Sequence, residues 1–258
     1  MIVQRHHTVH GLFVREAAPE TPKYPTPLVM IPGASHGWWA YEEWLPLFAE
    51  RGWMTYALSL RNHTGSYAVP DQEYLQLGVH DYVTDVLLVL DWIRTPVTLV
   101  GHSMGGIIAQ KIAELVDLKA LILIAPVGPG QLGPINTPVP TDRPVMPDAA
   151  TVRRLWFHNI SDERFAAIYE RLGPESPSVV NEYRTGKVQV NRSKIHCPIM
   201  VIEGEFDHSG VHDPQDVSWF YDATYLLALD AGHDLMLEPV AAEVAETIQK
   251  WLKKAKVS

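Results

Sequence analysis

Ser103 stands in the run Gly101-His102-Ser103-Met104-Gly105-Gly106, which carries the pattern G-x-S-x-G. A serine hydroxyl is a weak nucleophile near neutral pH. It needs a base, and the base needs an orienting carboxylate. Two later segments offer these: Gly204-Glu205-Phe206-Asp207 and Asp230-Ala231-Gly232-His233-Asp234. Ser103 as nucleophile, His233 as base and Asp207 as orienting acid would suit acyl transfer, in the chain order Ser…Asp…His. Glu205 and Asp213 are the alternative acids. The chain has twelve histidines, so position has to decide among them. His233 alone has a strand-end placement, a glycine before it and a C-terminal helix after it. His102 should diverge from the serine hydroxyl at a sharp turn, in a packing or tuning role. Acyl transfer also needs N–H donors for a developing oxyanion. Met104, just after the nucleophile, supplies one. Ala34, with Ser35 next, is expected to supply the other from the loop Pro32-Gly33-Ala34-Ser35-His36-Gly37, where proline has no N–H.

The surrounding pattern says how these residues would be positioned. Residues 96–100 read as a buried strand and 107–115 as a helix with Ile108, Ile112 and Leu115 on one face. Ser103 would therefore sit on a sharp strand-to-helix turn. A side chain at 101 or 105 would strike the opposing backbone there. Residues 2–16 suggest a hairpin of two edge strands around His10-Gly11. Further strands are expected at 27–31, 54–60, 118–124, 199–203 and 225–229. Helices are expected at 41–51, 71–93 and 239–254. Strands alternating with helices imply a mostly parallel sheet covered on both faces. Asp207 and His233 each follow such a strand, so both open onto the sheet edge that carries Ser103.

The alternation breaks after the sixth strand. From Pro126 to Pro147 there are seven prolines, with Gly128, Gly130 and Gly133 among them, and no continuous element can form. Helices are expected next, near 148–158, 162–172 and 177–185. The expected division is a core of residues 1–126 and 194–258 with a mainly helical lid (cap) insertion at 127–193. Met146, Leu155, Trp156 and Phe157 in the lid, with Trp38 and His36 near the oxyanion loop, are the candidate substrate contacts. They suggest a largely apolar acyl or alcohol group. Trp39 beside Trp38 points the same way, and core packing is an equal explanation for these two tryptophans.

Composition narrows the classes. The chain has 258 residues, 47 % apolar, and a net charge of −9 without a basic run. One large α/β domain fits, and nucleic-acid binding does not. No membrane span and no leader pattern are read, and a cytoplasmic location is expected. The single cysteine, Cys197, cannot form an internal disulfide and reads as a small packed residue. His208 and His212 beside Asp213 have a helix-like ligand spacing but read as solvated, so no metal is expected. An exposed helix could support a homodimer.

The segments around Ser103, Asp207 and His233, with Met236-Leu237-Glu238-Pro239 behind the last, resemble the α/β-hydrolase fold superfamily. The resemblance covers most of the chain outside the lid. Leu60-Arg61-Asn62-His63-Thr64-Gly65-Ser66 is similar to the family's Leu-Arg-Gly-His-Gly-x-Ser stretch, with Asn62 and Thr64 in place of both glycines. Pro32-Gly33 stands where the family usually has His-Gly. A serine at 103 argues against the haloalkane dehalogenase and epoxide hydrolase members, which use Asp there. The resemblance implies an esterase- or lipase-like serine hydrolase, needing no cofactor, that cleaves a small-molecule carboxylic ester, lactone or thioester through an acyl-enzyme. It also permits perhydrolysis of the cofactor-free haloperoxidase type, C–C bond hydrolysis or a lyase reaction. A ligand-binding receptor with an idle triad is the remaining class.

Overall fold

The computed structural model of the chain describes residues 1–257. Strands β1 (Ile2–Val9), β2 (Leu12–Pro19), β3 (Leu28–Ile31), β4 (Thr55–Leu58), β5 (Thr98–His102), β6 (Ala120–Ile124), β7 (Ile199–Gly204) and β8 (Thr224–Ala228) form one sheet. Their order is β1-β2-β4-β3-β5-β6-β7-β8. The pairs β1/β2 and β2/β4 are antiparallel and the rest are parallel. The expected hairpin is present, but only β1 is an edge. β2 pairs with β4 on its other side and runs on to Pro19, past the expected end of the hairpin at residue 16.

Alternation in the buried strands divides the core in two. Val29, Ile31, Leu99, Leu121 and Leu123 face one layer, with helices α3 (Val79–Ile93), α4 (Met104–Ala113) and α8 (Pro214–Tyr221). Leu28, Met30, Val100, Ile122 and Ile124 face the other, with α1 (Trp44–Glu50) and α9 (Ala241–Lys254). Each large aliphatic side chain so buried stabilises the fold by about 1.5–3 kcal/mol. Trp44, fully buried, also donates from its indole N–H to the Ala241 carbonyl at 3.1 Å, tying α1 to α9.

Several helices differ from the sequence reading for local reasons. The stretch 71–93 is broken into α2 (Asp71–Tyr74) and α3. Gly78 is extended between them, and its N–H donates to Asp81 Oδ2 at 2.9 Å. A Cβ at Gly78 would press on the Glu182 carboxylate, which accepts the Val79 N–H at 2.7 Å. α4 ends at Ala113, so Leu115 leaves the expected stripe and is 56 % exposed. In α9, Leu252 is fully buried while Trp251 is only half-buried.

Between β6 and β7 lie α5 (Ala149–Trp156), α6 (Asp162–Tyr169) and α7 (Pro177–Arg184). Asp148 and Ser161 cap α5 and α6 by accepting the Thr151 and Arg164 N–H groups. The proline-rich strap before α5 is held by His212. That histidine is buried, not solvated as expected: its Nδ1 accepts the Gly128 N–H at 3.1 Å, and its Nε2 donates to the Gly133 carbonyl at 2.9 Å. Val179 and Val190 pack into one core layer and Val152, Phe157, Ile160 and Ile168 into the other. The segment thus straddles the sheet edge where the candidate residues lie. Among the described residues no helix is long and apolar enough to cross a membrane.

Candidate active site

Ser103 occupies the turn from β5 into α4 with φ +51° and ψ −119°, a strained conformation for a residue with a side chain. The turn closes tightly. A Cβ on Gly101 would collide with the Gly105 carbonyl, and one on Gly105 with the Ile31 carbonyl, so both positions require glycine as the sequence suggested. The Ser103 N–H donates to the Ile124 carbonyl at 3.0 Å, and its own carbonyl accepts the Val127 N–H at 3.0 Å. The bend is therefore gripped by β6 and the residues after it.

Asp207 follows β7 and His233 follows β8. The His233 Nδ1–H donates to Asp207 Oδ2 at 2.7 Å, and both side chains are nearly buried. The other carboxylate oxygen, Asp207 Oδ1, accepts the Ser209 N–H at 2.8 Å. Burial alone would push the His233 pKa down. The charge and hydrogen bond of Asp207 outweigh it, so His233 is raised above 6.5. Asp207 is lowered, because the same pairing outweighs its own burial. With Nδ1 engaged, Nε2 is the nitrogen left to take a proton. Ser103 and His233 line one cavity of about 170 Å³, room for a group about the size of a benzene ring. Among the described residues no hydrogen bond joins the Ser103 hydroxyl to His233.

The N–H groups of Ala34 and Met104 have no acceptor among the described residues. Met104 is the first residue of α4, where an N–H has no partner within the helix. Ser35, the second choice, is engaged: at φ +68° its N–H donates to Glu175 Oε2 at 3.3 Å.

Two buried networks brace these parts. In the first, His36 bridges the Ala34 carbonyl (Nδ1, 2.8 Å) and Asp234 Oδ2 (Nε2, 3.1 Å), while His102 Nε2 donates to the His233 carbonyl at 3.2 Å. Burial holds His102 neutral, with its pKa lowered to about 3. His36, His102 and Asp234 each offer a ligand atom within 4.8 Å of the others. Both Nε2 atoms, however, aim at protein oxygens, an alignment that suits protons. In the second, Glu175 Oε1 accepts from the Tyr82 hydroxyl (2.6 Å) and the Ser176 N–H (2.8 Å), and Oε2 from His63 Nε2 (3.1 Å) as well as Ser35. Burial disfavours both ions. Their mutual charge outweighs it, so Glu175 is lowered and His63 raised. Asn62 takes the left-handed conformation, φ +63°, that glycine usually provides in this loop. Glu238 fixes the remaining edge, accepting the Gly232 N–H (2.7 Å) and the His158 N–H (2.5 Å).

Of the expected substrate contacts, His36, Leu155 and Trp156 line the cavity; Trp38, Met146 and Phe157 do not. Trp38 stacks on Phe13 with centroids 5.5 Å apart. Phe157 is buried against Phe165, and Met146 is 38 % exposed. Glu175, Tyr183, Arg184 and Asn136 line the cavity although nothing in their sequence neighbourhood indicated it.

Solved structures with the same fold include a methylesterase from Arabidopsis (19 % identity, TM-score 0.73, 88 % of this chain and 99 % of that one). Others are a thermophilic esterase from Thermogutta terrifontis (17 %, 0.66, 98 % and 99 %) and a serine hydrolase involved in carbazole degradation (18 %, 0.68, 98 % and 99 %). No curated protein matches the chain. Residues 28–247 match the family described as "Alpha/beta hydrolase family". That span takes in the sheet from β3 onward, the Ser103 elbow and the Asp207 and His233 loops, and by it the chain belongs to the alpha/beta hydrolase family.

Proposed function

We propose that the protein is a serine hydrolase that cleaves a carboxylic ester, or a lactone or thioester, through an acyl-enzyme on Ser103. The observation that carries this reading is the 2.7 Å bond from His233 Nδ1 to Asp207, made beside a cavity into which a strained elbow presents Ser103. His233 Nε2 takes the Ser103 proton as the hydroxyl attacks the acyl carbon, and Asp207 stabilises the imidazolium formed. The Met104 and Ala34 N–H groups hold the oxyanion. His233 returns the proton to the departing alcohol, then activates a water that releases the acid. The reaction draws on no metal or organic cofactor. Residues 127–193 act as a lid over the core of 1–126 and 194–258. Thr151, Leu155 and Trp156 of α5 and Val180 of α7 support this, since they line the same cavity as Ser103.

Turnover of 4-nitrophenyl butyrate by wild type and Ser103→Ala tests the reading. Wild type should hydrolyse it at enzymic rates, and the variant should lose about 10³-fold or more. Equal rates in the two would overturn the assignment of Ser103.

A further inference from the structure

Five ionisable groups other than tyrosine line the cavity over Ser103: His36, His102, His233, Glu175 and Arg184. Four have a charge or hydrogen-bond partner within the protein. His233 is paired with Asp207, and His36 bridges Asp234 and a carbonyl. His102 is neutral and bonded to the His233 carbonyl. Glu175 receives four hydrogen bonds, one of them from His63. Its negative charge is thereby matched inside the wall.

Arg184 differs. It is the one arginine that lines the cavity among the described residues, and no carboxylate lies in reach of it there. Its guanidinium makes one long hydrogen bond, from Nη1 to the Thr137 carbonyl at 3.4 Å, and leaves most of its five donors open. It also lies close enough to Tyr183 to draw that hydroxyl's pKa down, against a larger upward push from burial that leaves it at about 12. The backbone is not loose. Arg184 closes α7, and its carbonyl accepts the N–H groups of Ile135 (2.9 Å) and Asn136 (3.3 Å), two residues that line the same cavity. A half-buried arginine without a carboxylate partner thus stands in the cavity wall on a fixed backbone. Val127, Ile135, Val145, Val180 and Val211 line the cavity with it and offer an apolar path for a short spacer.

Building on the ester-hydrolase reading, we propose that Arg184 is an anion subsite of the catalytic cavity and that the preferred substrate is a small ester carrying a carboxylate. The planar guanidinium suits a two-pronged grip on a carboxylate. A cavity of about 170 Å³ limits the spacer to a few carbons. This adds a charged contact to the largely apolar acyl or alcohol group expected from the lid, of whose four residues Leu155 and Trp156 line the cavity and Met146 and Phe157 do not.

The test compares matched ester pairs. On the acyl side the pair is mono-4-nitrophenyl glutarate and its methyl ester. On the alcohol side it is 4-carboxyphenyl acetate and its methyl ester. The readout is the charged-to-neutral ratio of kcat/KM for wild type, Arg184→Lys and Arg184→Gln. Wild type should favour the carboxylate member of at least one pair by about 10- to 100-fold, mostly through KM. Arg184→Gln should collapse that ratio and Arg184→Lys should keep part of it. A wild-type ratio near one in both pairs, or a ratio that Arg184→Gln leaves intact, overturns the proposal. Calorimetric binding of glutarate reads the subsite without turnover. If no ester is hydrolysed, the ester reading fails, yet glutarate binding that disappears in Arg184→Gln still supports the subsite. Glutarate binding unaffected by the substitution, or absent from wild type, overturns it.

Discussion

On the proposed mechanism, Asp207 and His233 set the pH behaviour of the site. His233 must be neutral to accept the Ser103 proton, and Asp207 raises its pKa above 6.5. Activity should therefore rise with pH through a midpoint above 6.5 and fall away below it. Asp207→Asn removes the charge that raises His233. The ascending midpoint should move down, and the plateau rate should drop by about 10⁴-fold. A kcat/KM profile of wild type and variant against pH checks both, and an unshifted midpoint would contradict the pairing. The candidates Ser103, Asp207 and His233 stand out in the sequence because each is marked by its own neighbours: a glycine-flanked turn or a strand end. Glu175 was not. Its donors Ser176, Tyr82, His63 and Ser35 lie 1, 93, 112 and 140 residues away along the chain, so only folding brings together what makes it matter.

The Glu175–His63 pair is also where separate elements meet. It ties the segment before α7 to the loop after β4, and through the Ser35 N–H to the loop after β3. Burying two ions is costly, and removing one leaves the other unmatched. Glu175→Ala should destabilise the fold by about 3–5 kcal/mol. The sign of its pH dependence follows from the two shifts. His63 is raised, so its share is complete below 6.5 and lost as pH rises through its folded pKa. Glu175 is lowered, so its share is complete above 4.5 and lost as pH falls through its folded pKa. The stability difference between wild type and Glu175→Ala should thus be largest between 4.5 and 6.5 and shrink on both sides. Urea denaturation across pH measures it, and a flat difference would mean that the pair is not ionised. At this scale periodicity found nearly every element but not its ends. Gly78 stops a helix that the apolar stripe carried straight through, because a carboxylate from α7 caps the new start. His212 looked solvated by spacing, yet it anchors a strap some eighty residues distant in sequence.

For the whole molecule, the alternation of strands and helices was enough to read a parallel sheet covered on both faces. Short apolar strands with glycine-rich ends admit few other arrangements. The order of strands was not readable, because β-branched runs such as 120–124 and 199–203 carry no label for their neighbours. Nor was the seating of residues 127–193, whose apolar side chains divide between both core layers. Residues 207 and 233, which are hydrogen-bonded, and residues 103 and 233, which line one cavity, come together only when the sheet is assembled. The most direct test of the central claim is intact mass after exposure to a fluorophosphonate probe, for native wild type, urea-unfolded wild type, Ser103→Ala and His233→Ala. One adduct is expected on native wild type, mapped to Ser103, and none on the other three. No adduct on the native protein, or one that persists in Ser103→Ala, would contradict it.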